Sequence, residues 1–163
     1  MIRYIMAFLA IGLGVHALTV WYLPRLAMNT AMSRMDAIGA QVNAIAHIPP
    51  TDETSRRVVR PSPDLLYSVC ALDLSNGPVR IRAADWGGYL SLSLFSANTD
   101  NVFALNDSEV EGDIDVLVAR GGESDVALGS TRGIAIIRRL ATDPLALTRA
   151  DEIRRNNDVC EPH

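Results

Sequence analysis

The sequence predicts a mainly β chain: a single N-terminal transmembrane helix and a helical stalk, then a jelly-roll-like β-sandwich with one C-terminal helix. Three observations predict it. An uncharged run fills residues 4–23, and the apolar spacing then keeps a helical period to about residue 47. Beyond residue 60 it changes to strict alternation broken by turn residues. The resulting segments are a transmembrane helix (1–24), a juxtamembrane helix (25–47), a linker (48–60) and a sandwich domain (61–163).

Residues 4–23 are twenty positions without a formal charge, bracketed by Arg3 and Arg25. At about 1.5 Å per residue they cross the roughly 30 Å hydrocarbon core of a bilayer. Tyr4 at one end and Trp21 and Tyr22 at the other have the interfacial placement of a span. The rival is a cleaved signal peptide at Val15-His16-Ala17, against which the apolar run continues past the cut. His16 is polar inside the span, a pairing candidate for a neighbouring helix. Arg3 on one side and Arg25 and Arg34 on the other leave orientation open to charge counting.

After Pro24, apolar residues recur at Met28, Ala31, Met35, Ile38, Val42 and Ile45, with spacings of 3, 4, 3, 4 and 3. That is a narrow heptad seam. It serves either as a surface joining this chain to a second copy or to another membrane protein, or as the face that packs on its own domain. Pro49-Pro50 ends it, and the Pro-, Thr-, Asp- and Arg-rich stretch that follows reads as a solvated linker.

Residues 79–82, 90–94 and 114–118 alternate apolar with polar and predict half-buried strands; residues 65–74, 102–105 and 134–137 add three more. Turn signals stand at Asn76-Gly77-Pro78, Trp86-Gly87-Gly88, Asn106-Asp107 and Gly121-Gly122. A helix is predicted from Pro144 to about Arg155, capped by Thr142 or Asp143 and carrying Arg154 and Arg155 at its carbonyl end.

Composition excludes whole classes of function. The 163 residues are 48% apolar and 21% charged, with a net charge of −4, so there is no basic footprint for nucleic acid. All 15 basic residues are Arg, which removes lysine Schiff-base chemistry. No Gly-x-Ser-x-Gly elbow, phosphate loop or His-Glu-x-x-His occurs, and the three histidines are scattered at His16, His47 and His163. No metal or cofactor is expected.

Residues 48–163 hold 12 Arg against 18 acidic residues, a net of −6 that suits the side facing away from the anionic cytoplasmic leaflet. Two cysteines occur, Cys70 in a predicted strand and Cys160 in the tail. Either they join, closing a loop of about 90 residues and placing the domain outside the cytoplasm, or one is a buried thiol and the other an incidental tail thiol.

The segments Ser62-Pro63-Asp64-Leu65-Leu66-Tyr67-Ser68, Ala71-Leu72-Asp73-Leu74-Ser75-Asn76-Gly77-Pro78 and Tyr89-Leu90-Ser91-Leu92-Ser93-Leu94-Phe95, with Asn98-Thr99-Asp100-Asn101, resemble the domain of unknown function 1254 family, over about residues 61–155. The likeness is to its short, membrane-anchored, alphaproteobacterial-type branch. It implies a jelly-roll sandwich and a neighbour of the sister family, domain of unknown function 1214, but no agreed activity. Longer members carry Asn-x-Asp-Thr-Leu-Tyr, where this chain has Ser62 or Pro63 near the Asn and Leu65 in place of Thr.

Asp64, Tyr67 and Asp73 lie on one predicted strand and its approach, and with Trp86 and Tyr89 they are the candidate ligand-binding residues. A phenol and two carboxylates could also do acid-base work if they converge. Asn98, Thr99, Asp100, Asn101 and Asp107 form an oxygen-rich loop without EF-hand spacing, read as Asx turns. Arg80 and Arg82 present an exposed strand face able to meet acids on a partner.

The expectation is an inner-membrane protein with its N-terminus in the cytoplasm and its sandwich in the periplasm, acting as a subunit or scaffold of an envelope complex. The partner is another copy or a membrane protein of the sister family. Small-ligand or glycan binding and a carboxylate- and tyrosine-based hydrolase are the alternatives.

Overall fold

In the computed structural model, which describes residues 1–37, 40–51, 61–122 and 124–163, the chain opens with one long helix, α1 (Ile2–Ala37). Residues 1–23 are exposed, and none of an 18-residue window of mean hydropathy 1.8 is buried. A single apolar helix of this length is consistent with one membrane span. Helix runs unbroken through Pro24, with no fresh start there. Pro24 cannot donate to the preceding turn, but Arg25 directs its guanidinium to the Trp21 carbonyl (2.5 Å) and stacks over the Trp21 ring, which covers this turn with polar and cation–π contacts.

The strands are β1 (Ile45–His47), β2 (Leu65–Asp73), β3 (Val79–Ala83), β4 (Leu90–Ser96), β5 (Asn101–Asn106), β6 (Ile114–Ala119), β7 (Val126–Ala127), β8 (Arg132–Leu140) and β9 (Val159–Pro162), with helix α2 (Pro144–Asn157) before the last. They form a five-stranded sheet, β1-β2-β8-β4-β5, and a four-stranded sheet, β7-β6-β3-β9. All pairs are antiparallel except β6 with β7. The inner faces pack together: Leu66, Cys70, Leu72, Leu92, Leu94 and Ile137 of one sheet meet Val79, Ile81, Ile114 and Val118 of the other. Cys70 of β2 and Cys160 of β9 are joined by a disulfide that ties the two sheets. Helix and strand take about equal shares of the described residues, so the fold is mixed α/β with two packed sheets rather than mainly β.

The five-stranded sheet is apolar on its outer face as well, which is why β2 and β8 carry near-continuous apolar runs instead of clean alternation. Val69, Ala71 and Ile134 project outward there and bury Met28, Met32 and Met35 of α1. The last described turns of α1 are seated on this sheet.

The heptad seam predicted over Met28, Ala31, Met35, Ile38, Val42 and Ile45 is therefore not one surface. Met28, Ala31 and Met35 pack on this chain's own sheet, and Ile38 lies outside the described residues. Val42 makes a parallel bridge to Ala71, while Ile45 begins β1 opposite Cys70, so the helix does not reach residue 47. Asn43 takes a left-handed φ of 54°, which helix forbids and Asn tolerates. Its side chain accepts from the Asp73 N–H and donates to the Asp73 carbonyl, both at 2.8 Å, pinning the turn to the end of β2. Most of the predicted linker, residues 52–60, lies outside the described residues.

Helix α2 starts as its sequence predicts. Asp143 is extended and its Oδ1 accepts from the Leu145 and Ala146 N–H groups at 3.0 and 2.9 Å, with Pro144 in the first turn. Replacing Asp143 with Ala should cost about 1 kcal/mol of stability in a urea titration. A loss below the error of that titration would show that the cap contributes nothing.

Candidate functional site

The structure places Asp64, Tyr67, Trp86 and Tyr89 at one end of the five-stranded sheet and Asp73 at the other. The near end is closed by backbone bonds: the Ala141 N–H donates to the Asp64 carbonyl (2.8 Å) and the Leu140 N–H to the Tyr89 carbonyl (3.2 Å). Asp73 lies six residues beyond Tyr67 on β2, about 20 Å along an extended strand.

The side chains of Tyr67, Trp86 and Asp73 have local engagements in the fold, while Asp64 and Tyr89 are exposed. The Tyr67 hydroxyl accepts from the Ser62 N–H at 3.2 Å. Trp86 folds over its own turn and donates to the Tyr89 carbonyl at 3.0 Å; a Cβ on Gly88 would come within 2.4 Å of the indole. The ring plugs the core and presents no open face. Asp73 accepts from Ser75, whose hydrogen bonds hold the carboxyl below its ordinary range. In the oxygen-rich loop the Asn98 amide donates to Asp100 at 2.6 Å, an Asx-type arrangement. Among the described residues no three His, Cys, Asp or Glu side chains are gathered as a metal site would need. Arg80 pairs with Asp115 of β6, and Arg82 with Asp113 just before it.

Polar chemistry instead concentrates beneath α2. Arg139 and Asp158 are buried and doubly bonded: Nη1 donates to Oδ2 at 2.8 Å and Nη2 to Oδ1 at 2.5 Å. Nη2 also donates to the Ala84 carbonyl at 2.7 Å, and Asp158 accepts from the Ala84 N–H at 3.0 Å. Asp158 caps α2, so this pair joins β8, the turn after β3 and the helix end. Arg154, equally buried, donates to the Tyr67 carbonyl (2.7 Å), the Ile48 carbonyl (2.9 Å) and Asp151 (2.7 Å).

Beside them His47 Nδ1 lies 2.9 Å from Ser68 Oγ. A base and a hydroxyl at this distance have the form of a nucleophilic pair. Ser68 is 1% exposed, so the pair is enclosed by the fold. The pair orders the sheet end.

Burial lowers the His47 pKa from 6.5, with Arg154 and then Arg155 acting in the same direction and Asp158 and Asp151 opposing. The neutral ring is thus favoured in the folded state, so the unfolded chain binds more protons below pH 6.5. Stability from this group is present above that pH and is lost as pH falls through the window beneath it. Thermal melts taken downward from neutral pH should show this loss before the acid loss of Asp113 and Asp115. Those carboxylates sit below their ordinary 3.8, chiefly through the Asp85 N–H on Asp113 and Arg80 on Asp115. H47Q should flatten the upper window only; an unchanged profile would remove His47 from this role.

This cluster was not legible beforehand. The run Ile-Ile-Arg-Arg-Leu requires one arginine inside and one outside, but alternation does not say which. Arg138 points outward to Ser93 Oγ at 3.0 Å, and Arg139 points in. His47 was expected at a helix end, and only its register opposite Ser68 on β2 brings it to the cluster.

Comparison with known proteins places this geometry. No curated protein matches the chain. A crystal structure of the VPA0106 protein from Vibrio parahaemolyticus superposes with a TM-score of 0.62 at 13% identity, covering 88% of this chain and 36% of that one. This supports the fold alone. A structure of an uncharacterized protein from Burkholderia cenocepacia gives a TM-score of 0.45 at 18% identity, over 64% of this chain and 33% of that one. The chain thus spans about a third of the length of either. The family model described as protein of unknown function DUF1254 matches residues 42–159, from the bridge at Val42 through the buried pair to the start of β9, and the chain belongs to that family.

Proposed function

We propose that the chain is a membrane-tethered interaction module, a subunit or scaffold of an envelope membrane-protein complex, its two packed sheets forming a sandwich of jelly-roll type. The observation that carries this is the seat of α1. Met28, Met32 and Met35 are buried on the outer face of the five-stranded sheet, so the helix that bears the apolar run holds the domain at a set orientation. The interior between the sheets is filled by side chains of 0–1% exposure such as Leu72, Ile81, Leu92 and Ile114. A domain packed in this way leaves no room for a ligand between its sheets.

The Cys70–Cys160 bond favours an oxidising compartment, hence an inner-membrane protein with the N-terminus cytoplasmic and the sheets periplasmic. The partner is a second copy or a membrane protein of the sister family, domain of unknown function 1214. The test is recovery of the tagged chain in polymer nanodiscs at native level, with mass spectrometry and a non-reducing gel. A stoichiometric membrane-protein partner or an oligomer is the expected result. A lone monomer would defeat the reading.

A further inference from the structure

The route of α1 across its sheet sets which edge of the domain faces the span. Near the start of its seat, Met28 and Ala31 lie beside Phe95 and Thr99 at the end of β4 and beside Ile134 and Ile136 of β8. Beyond the helix, Val42 and Asn43 are bonded to Ala71 and Asp73 of β2. The chain therefore enters over β4 and leaves at β2. In the order β1-β2-β8-β4-β5, the strand nearest the span is β5.

Two features meet on that side. The first is a groove of about 160 Å³ between α1 and the sheet, lined by Met28, Ala31, Phe95, Thr99, Ile134 and Ile136, with Ala27 at its margin. It is apolar except for Thr99 and smaller than the roughly 300–1,000 Å³ of a small-molecule site. Ala27 is four residues past Leu23, about 6 Å along the helix, which is the depth of the lipid headgroups beyond a hydrocarbon core ending at Leu23. Arg25, stacked on Trp21, puts a cation at the same level.

The second feature is β5 itself, Asn-Val-Phe-Ala-Leu-Asn, six uncharged residues without proline on a free sheet edge. Edge strands open to water are guarded by charges, proline, brevity or bulges, because an apolar free edge recruits other strands; β5 has only a register shift against β4, at Leu94/Phe95, which leaves Val102 unpaired. Val102 is 40% exposed on this one.

We propose that the groove takes an acyl chain of a membrane phospholipid and that the β5 edge rests on the bilayer beside it. The inference rests on α1 being a span. It goes beyond the interaction reading by naming a lipid contact, and it requires no protein partner.

The test reconstitutes the full chain in phosphatidylethanolamine and phosphatidylglycerol vesicles doped with a phospholipid carrying a diazirine on its acyl chain, then maps adducts by mass spectrometry. Adducts are expected in residues 2–23 and also at residues 95–99 and 134–136. A31W, which fills the groove, and A27W, at an exposed position on its margin, should each lower the second set about tenfold, the loss expected for roughly two buried methylenes. The span adducts should not change. A27W keeps the test decisive if A31W fails to fold. Adducts confined to the span would overturn the groove while leaving the tether intact, as would groove adducts indifferent to both variants. Absence of adducts in 2–23 as well would overturn the span reading and the groove with it.

Discussion

Reducing the Cys70–Cys160 bond in the detergent-solubilised full chain should lower its stability by about 4 to 5 kcal/mol, the largest single effect expected of any covalent or side-chain change here. The residues are 90 apart in sequence, so the open chain regains a large loop entropy once the link is cut. The folded state offers little to offset this. The tail strand β9 is held by antiparallel pairing to β3 along one edge and by the His163 N–H on the Pro78 carbonyl at 3.0 Å. Cys70 lies fully buried at the centre of the core, so a C70A/C160A variant keeps small apolar groups there and isolates the crosslink from packing. Urea titrations of the oxidised chain, the reduced chain and the double variant should give two low, similar midpoints and one high one. Equal midpoints for all three would mean that the bond contributes no stability.

Asp158→Asn should cost about 3 to 5 kcal/mol, because it leaves the Arg139 guanidinium buried without its counter-charge. Arg139 is 0% exposed, and its Nε already has no hydrogen-bond partner among the described residues, so nothing nearby can take over. The double variant R139M/D158L tests the cause. It removes both charges and substitutes apolar volume, so it should be markedly more stable than D158N alone. If both variants lose the same amount, the cost lies in the helix cap and the Ala84 bonds rather than in the stranded charge.

Much of the architecture was legible from residue order. The alternation in residues 79–82, 90–94 and 114–118 became β3, β4 and β6 within one or two residues, and the Asp143-Pro144 start of α2 was read correctly. These succeed because the signal is local: a period of two or a cap depends on neighbours in the chain. Short elements failed for the complementary reason. β1, β7 and β9 have three, two and four residues, too few to show a period, and they exist through their partners. Ile45 shows this directly. It completes a 3-4 spacing that favours helix, yet α1 ends at Ala37 and Ile45 pairs with Cys70 on the edge of β2.

The sequence by itself determined an apolar helix long enough to span a bilayer, the positions of the principal strands, the capped C-terminal helix and membership of one family. Only the tertiary structure decided that the methionine stripe is consumed by this chain's own sheet, that Cys70 and Cys160 are opposed, that Arg139 rather than Arg138 is buried on Asp158, and that β5 forms one edge of the five-stranded sheet. The first group follows from spacing along a single segment. The second depends on pairing between segments tens of residues apart, where periodicity leaves several arrangements equivalent until both faces of a sheet must be covered and every buried charge must meet its partner.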